Sequence, residues 1–254
     1  MEGTVRRAAG LSSIGLVREN NEDSAYVGRW LYAVADGIGG HVGGEIASAT
    51  VIESLRPYDA DVAAADVLAT LGKAVSAANA RLLRKVEQDP ALAGMGTTLT
   101  AMLWSGDRAA LAHIGDSRAY LLRGDTLCQI TEDHTLGRVC AEAAASPWLA
   151  PVLVRYLDGR PDQVPDLAVR DTRPGDRYLL CSDGLSGVVD ADVLREVLAS
   201  AADPDGVARQ LTELADAGGG PDNTTVVVID VQGPEAEPAP AQPMTLGAAA
   251  DAGL

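Results

Sequence analysis

Four aspartates stand beside glycines at the ends of apolar runs. The first lies in Val34-Ala35-Asp36-Gly37-Ile38-Gly39-Gly40-His41 and the second in His113-Ile114-Gly115-Asp116-Ser117-Arg118. The third lies in Cys181-Ser182-Asp183-Gly184 and the fourth in Gly219-Gly220-Pro221-Asp222-Asn223-Thr224. An apolar strand holds the backbone of such an Asp while its carboxylate projects into a loop. The glycines let the chain bend sharply and let other groups approach the backbone. Carboxylates gathered this way repel one another and are stable as a cluster only with cations. Oxygen donors of this kind suit Mg²⁺ or Mn²⁺. The bland alternative is that each Asp-Gly is only a turn, since Asp and Gly dominate turns. Composition and spacing alone reach a candidate dinuclear hard-metal site and no further.

The elements that must position these residues alternate in blocks. Ser24–Trp30 and Leu31–Ala35 read as strands. Gly43–Arg56 reads as a helix, with Ile46, Ala47, Thr50, Val51, Ser54 and Leu55 on one face at 3.6 spacing. A longer helix follows on a stripe of Val67, Leu71, Val75, Ala78, Leu82 and Val86, and Pro90 and Gly94 end it. Thr97–Trp104, Arg108–Ile114 and Ser117–Arg123 read as strands. Leu127–Ile130 closes a hairpin across Gly124-Asp125. A mostly helical stretch over 134–146 leads into a Pro-containing irregular region. Leu167–Arg170 and Tyr178–Cys181 are strands, 191–200 and 204–217 are helices, and Thr224–Val231 is a final apolar strand. Asp203-Pro204 supplies an N-cap and a first-turn Pro for the second of those helices. The central strand cluster points to antiparallel pairing with helices on the sheet faces.

From Gly233 the chain reads GPEAEPAPAQPMTLGAAADAGL. No periodic apolar face appears there, and such a composition does not offset the entropy of ordering. The sequence therefore predicts one folded unit over 1–232 and a disordered tail over 233–254.

The chain has 254 residues, 47% of them hydrophobic and 22% charged, near the globular average. It contains no Phe, so Val, Leu, Ile and Ala must build most of the core. The formal charge of −16 disfavours phosphate backbones and anionic membranes as partners. Cys128, Cys140 and Cys181 are too few and scattered for a disulfide framework, which fits a reducing cytoplasm. No apolar run reaches the length of a membrane span, and no apolar leader follows the charged start. The expectation is a soluble cytoplasmic monomer.

The ordered motifs go further. They are Gly15-Leu16-Val17-Arg18-Glu19-Asn20-Asn21-Glu22-Asp23, Ala35-Asp36-Gly37-Ile38-Gly39-Gly40-His41, Gly96-Thr97-Thr98-Leu99 and His113-Ile114-Gly115-Asp116-Ser117-Arg118-Ala119-Tyr120. Thr131-Glu132-Asp133-His134 follows, then Pro174-Gly175-Asp176-Arg177 with Leu179-Leu180-Cys181-Ser182-Asp183-Gly184, then Asp222-Asn223-Thr224-Thr225. In this order, over residues 12–231, they resemble the bacterial form of the metal-dependent protein phosphatase family, type 2C.

The resemblance implies an α+β fold: a four-layer αββα sandwich of two antiparallel sheets flanked by helices. It implies a serine/threonine phosphatase that hydrolyses phosphoserine and phosphothreonine in proteins by direct attack of a metal-activated water. It implies two tight Mg²⁺ or Mn²⁺ ions and a weaker third. Asp36 matches the bridging carboxylate, Gly37 a carbonyl ligand, and Asp183 and Asp222 the remaining carboxylates. Asp116 matches a ligand of the third ion. Asp23, with its neighbour Glu22 as the alternative, matches an acidic outer-shell group. Arg18 matches the arginine that binds the substrate phosphate. A planar guanidinium suits that role because it clamps two phosphate oxygens at once.

No Ser or Cys nucleophile is required, so Ser182 and Cys181 read as structural. The family's His after the first Asp-Gly is absent, since Ile38 stands there. His41 is a nearby candidate proton donor, with a helix-start role as its alternative. His113 reads as a hydrogen-bonded core residue and His134 as an orienting one. The segment 134–165 departs from the family pattern, which leaves substrate preference open. Two rivals stand beside this reading: a regulatory module that keeps the fold without the activity, and a phosphatase dedicated to a partner-switching regulator.

Overall fold

The computed structural model describes residues 4–38, 43–236 and 242–251. In chain order the strands of the first half are β1 (Val5–Ser13), β2 (Ser24–Val27), β3 (Leu31–Ala35), β4 (Gly37–Ile38), β5 (Gly96–Thr97), β6 (Leu99–Ser105) and β7 (Arg108–Ile114). Helices α1 (Gly44–Leu55) and α2 (Val67–Gln88) fall between β4 and β5. The hairpin β8 (Arg118–Arg123) and β9 (Thr126–Gln129) comes next, then the short turns α3 (Leu136–Val139) and α4 (Ala141–Ala144). The chain continues through β10 (Asp166–Asp171), β11 (Arg177–Cys181), α5 (Asp183–Ser186), α6 (Ala191–Leu198), α7 (Pro204–Ala217) and β12 (Thr224–Gln232). It ends in β13 (Met244–Gly247) and α8 (Ala248–Asp251).

Two large sheets form, in the orders β1-β12-β11-β8-β9 and β10-β7-β6-β3-β2-β13, and every pairing in them is antiparallel. They stack face to face, and helices cover the outer faces, so the fold is the αββα sandwich expected. Strand periodicity explains the layering. In β12, Val227 and Ile229 pack between the sheets while Val226 and Val228 face the α6 and α7 layer. In β6, Met102 and Trp104 point between the sheets while Leu99, Ala101 and Leu103 face the α1 and α2 layer. Both faces of these central strands are buried, so they read as continuous apolar runs. With no Phe available, Trp104 fills the middle, edge-on to Tyr32 at 5.2 Å and to Tyr178 at 5.5 Å.

The structure departs from the sequence reading in three places. Strand β1 was not expected, because Val5–Ser13 has no alternating apolar pattern; it is an edge strand held by nine residue pairs with β12. The mostly helical stretch at 134–146 is only the two single turns α3 and α4. The tail also differs. Met244–Gly247 pairs with β2, and Ala248 and Ala249 are buried beside it. Local composition missed this because the partners are distant: Ala248 N–H donates to the Asp23 carbonyl at 2.8 Å and Ala249 N–H to Ser24 Oγ at 3.1 Å. A disordered 233–254 is therefore corrected for residues 244–251.

The registers put one end of both sheets together. In the first sheet Ser13 faces Thr224, and Cys181 faces both Val226 and Arg118. In the second Ser24 faces Ala35, Val34 faces Thr100, and Leu99 faces Ile114. The loops that leave these positions carry Arg18, Asp23, Asp36, Asp116, Asp183 and Asp222.

Candidate active site

Those loops enclose a cleft of about 450 Å³. Arg18, Glu22, Asp36, Gly37, Asp116, Asp183 and Asp222 line it, and Pro151, Val152, Leu153 and Tyr156 form a facing wall. Asp23 does not line it; the residue is fully buried beneath. A larger cavity of about 740 Å³ opens between α1, α2 and α8, but the gathered aspartates do not reach it. His41, the candidate proton donor, lies outside the described residues.

Each carboxylate is placed by partners far away in the chain. The Asp36 amide donates to Thr98 Oγ1 at 3.0 Å, while its carbonyl accepts from Thr97 Oγ1 at 2.8 Å and from the Thr98 amide at 2.9 Å. The Gly96-Thr97-Thr98 motif is thus the clamp on Asp36. Ser182 Oγ donates to Asp23 at 2.7 Å and accepts from the Thr225 amide at 2.9 Å. Asn223 Nδ2 donates to the carbonyls of Ile14 and Asn20, both at 2.9 Å, and Asn223 Oδ1 accepts from the Glu22 amide at 2.8 Å. Asn223 therefore staples the Arg18 loop to the Asp222 turn. The glycines after Asp36 and Asp183 mark backbone crossings. A Cβ on Gly37 would lie 2.3 Å from the Gly44 carbonyl oxygen, and one on Gly184 would lie 2.0 Å from that of Asn223.

Electrostatics mark the site. Burial, then repulsion from Asp23, Asp183, Asp116 and Asp222, holds Asp36 well above the ordinary carboxylate range. Burial, with repulsion from Asp183 and Asp222, pushes Asp23 up to about 7. Burial, with repulsion from Asp183 and Asp133, pushes Asp116 up to about 7. Asp183 rises through burial and Asp222, and Glu22 through burial. Arg18 Nη2 donates to Asp222 Oδ2 at 2.5 Å, and this bond raises the guanidinium pKa.

These donors fit hard divalent cations. All are oxygens, they repel one another, and buried Asp23 Oδ1 has no hydrogen-bond partner. Among the described residues no three His, Cys, Asp or Glu side chains already converge as a closed ligand set. Asp222 is turned to Arg18 and Asp23 to Ser182.

The structural readings of the other candidates agree with their surroundings. Ser182 is spent on Asp23 and Thr225. Burial pushes the Cys181 thiol up to about 12, which keeps it from forming a nucleophilic thiolate. His113 is buried between Thr100 Oγ1 at 2.9 Å and the Glu132 carbonyl at 3.0 Å, and desolvation lowers it to about 4. The family resemblance sets the segment 134–165 beside the site, and the structure adds which of its residues form the wall: Pro151, Val152, Leu153 and Tyr156. No local pattern marks it, because two isolated bridges fold it over the cleft, Thr135 with Leu153 and Thr97 with Leu157.

The profile of the family described as Protein phosphatase 2C matches residues 18–217. The chain is 50% identical over 234 residues to the serine/threonine protein phosphatase PstP of Mycobacterium tuberculosis, a match covering 89% of this chain and 45% of that protein. The chain thus spans about half the length of this relative. It is 32% identical over 232 residues to the serine/threonine phosphatase stp of Listeria monocytogenes, covering 85% of this chain and 92% of that one. Its fold superposes on the crystal structure of the catalytic domain of PstP in complex with two manganese ions with a TM-score of 0.84, at 49% identity, over 91% of this chain and all of the other.

Proposed function

The chain belongs to the protein phosphatase 2C family, and from that premise we propose that it hydrolyses phosphoserine and phosphothreonine in proteins with Mg²⁺ or Mn²⁺. One observation carries this reading: Arg18 and a self-repelling set of carboxylates face the same cleft. Asp36, Asp183, Asp222 and the Gly37 carbonyl would hold two ions, and Asp116 a weaker third. Bound divalent ions supply positive charge for phosphoryl oxygens and a water acidic enough to act at neutral pH.

The chain's own residues supply the rest. The Arg18 side chain is half-exposed at the cleft rim, so its fork is available to a phosphate dianion. Its present partner, Asp222, is the carboxylate it shares with the proposed ion site. The Thr97-Thr98 clamp and the Ser182 bond hold Asp36 and Asp23 against their mutual repulsion. Val152 and Leu153 add an apolar face to one side of the cleft.

The remaining features of the reading are a monomer acting on phosphoproteins in the cytoplasm, without nucleic acid or membrane. Among the described residues no helix is long and apolar enough to cross a membrane. The catalytic unit is 1–232, completed by 244–251. The test is phosphate release from a panel of phosphopeptides, with phosphotyrosine controls. Release should stop in excess chelator and return with Mn²⁺. Turnover that persists in chelator would overturn the metal reading, and phosphopeptide binding without release would favour a regulatory module.

A further inference from the structure

His134 is buried at the start of the segment that forms the cleft wall. The Gly115 amide donates to its Nδ1 at 3.0 Å. Nδ1 is therefore the acceptor, so the proton of the neutral ring sits on Nε2. That Nε2–H donates to Asp166 Oδ2 at 3.0 Å. Arg155 Nη2 donates to the other oxygen of Asp166 at 2.8 Å and to the Val164 carbonyl at 2.6 Å. Arg155 Nη1 also lies 2.7 Å from Nε2, so Arg155 and Asp166 together meet that end of the ring.

The main chain of His134 repeats the pattern. Its amide donates to the Gly115 carbonyl at 2.8 Å, and its carbonyl accepts from the Val154 amide at 2.9 Å. Val154 lies between wall residues Leu153 and Tyr156. On the other side of the turn, a Cβ at Gly115 would lie 2.6 Å from the Thr98 side chain. Thr98 is the residue that clamps Asp36. The Asp116 turn is thus pressed between Thr98 and His134.

We infer that His134 is a positioning residue, in which Nδ1 sets the Gly115–Asp116 turn and Nε2, through Asp166 and Arg155, sets the wall at Pro151–Tyr156. The consequence for turnover rests on the phosphatase reading; the clasp itself does not. Burial lowers the His134 pKa, which agrees with a neutral ring. The two ends should separate kinetically. The turn carries a cleft carboxylate, so its release should act on kcat. The wall meets the residues flanking the phosphate, so its release should act on phosphopeptide KM.

Two variants split the ring. His134→Asn places an oxygen near the Nδ1 position and cannot reach Asp166. His134→Gln places an amide near the Nε2 position and leaves the Gly115 amide without its acceptor. A third, Asp166→Ala, opens the wall end at a side chain that is 57% exposed, so it should fold even where ring variants do not. The measurements are kcat and KM of the Mn²⁺-loaded chain on a phosphothreonine peptide, and amide hydrogen exchange at Gly115 and Val154.

His134→Asn and Asp166→Ala should raise peptide KM about tenfold and leave Gly115 exchange near wild type. His134→Gln should speed Gly115 exchange and lower kcat about tenfold, each on the scale of one buried hydrogen bond. Equal losses in all three variants that only track a lowered melting temperature, with KM and Gly115 exchange unmoved, would overturn the inference. A wild-type chain that releases no phosphate from any peptide would sink the phosphatase reading, and Gly115 exchange in His134→Gln against His134→Asn would still decide the clasp.

Discussion

Asp23→Asn should make the metal-free chain more stable at pH 8 than the wild type. Asp23 is fully buried; it accepts one hydrogen bond, from Ser182, and its Oδ1 has no partner. Burial first, then Asp183 and Asp222, raises it from 3.8 to about 7. The direction of linkage follows. A carboxyl whose folded pKa lies above its unfolded value favours folding while protonated. That contribution is full below about pH 4 and is lost as pH rises through about 7. The loss is at most about 4 kcal/mol above pH 7, at about 1.4 kcal/mol for each tenfold change in proton affinity.

Asparagine keeps the oxygen that Ser182 needs and carries no charge. It leaves one amide N–H unpaired, which costs about 1–3 kcal/mol. The net gain at pH 8 is then about 1–3 kcal/mol, or roughly 3–10 °C in Tm for a chain of this size. At pH 5 the wild-type carboxyl is protonated, so the variant should be equal or slightly less stable there. Scanning calorimetry in chelator at both pH values measures the crossing. Parallel pH curves for wild type and variant would refute the assignment of a buried, charge-strained carboxyl. Mn²⁺ at pH 8 should then stabilise the wild type more than the variant, because only the wild type retains the charge that a cation compensates.

Three further outcomes are expected. Asp183→Ala should lower Mn²⁺-dependent phosphate release by roughly a hundredfold or more, the scale for losing a major electrostatic element; a normal rate in a steady-state assay would remove Asp183 from the site. Arg18→Ala should weaken phosphopeptide turnover while calorimetry shows Mn²⁺ affinity unchanged or tighter, since Asp222 is released from its partner, and Arg18→Lys should rescue in part. Loss of the ions from Arg18→Ala would contradict the role given to it. Deleting 244–254 should lower Tm by roughly 5–10 °C, because it removes the partly buried Leu246 and the buried Ala248 and Ala249 and uncovers the apolar surface they pack on, worth about 2–3 kcal/mol; an unchanged melting curve would show that β13 contributes nothing to β2.

The sequence discloses chemistry where chemistry is local. Asp36, Asp116, Asp183 and Asp222 each stand at a strand end, and a strand end can be read from a few neighbours. The central strands are legible for the same reason, since Thr224–Val231 is a largely apolar run and Thr97–Trp104 shows strand alternation. Strand β1 and strand β13 are not, because their order comes from main-chain pairing with β12 and β2 rather than from their own side chains. Arg6 and Arg7 interrupt one, and Pro-rich sequence precedes the other.

What holds the carboxylates is still less local. Ser182 reaches Asp23 across 159 positions, Asn223 reaches Ile14 across 209, and His134 reaches Asp166 across 32. No periodicity encodes such contacts; they exist only once two sheets have stacked and their ends have met. Protonation is set at that same step. An Asp in a Gly-rich turn reads as an ordinary anion, yet Asp23 and Asp116 are pushed to about 7 because the fold takes water away and brings other carboxylates close. The residue types name a site that can attract cations. The stacking of the sheets creates the uncompensated charge that makes cations necessary, and for that reason a stability measurement at two pH values probes the site as directly as an activity assay.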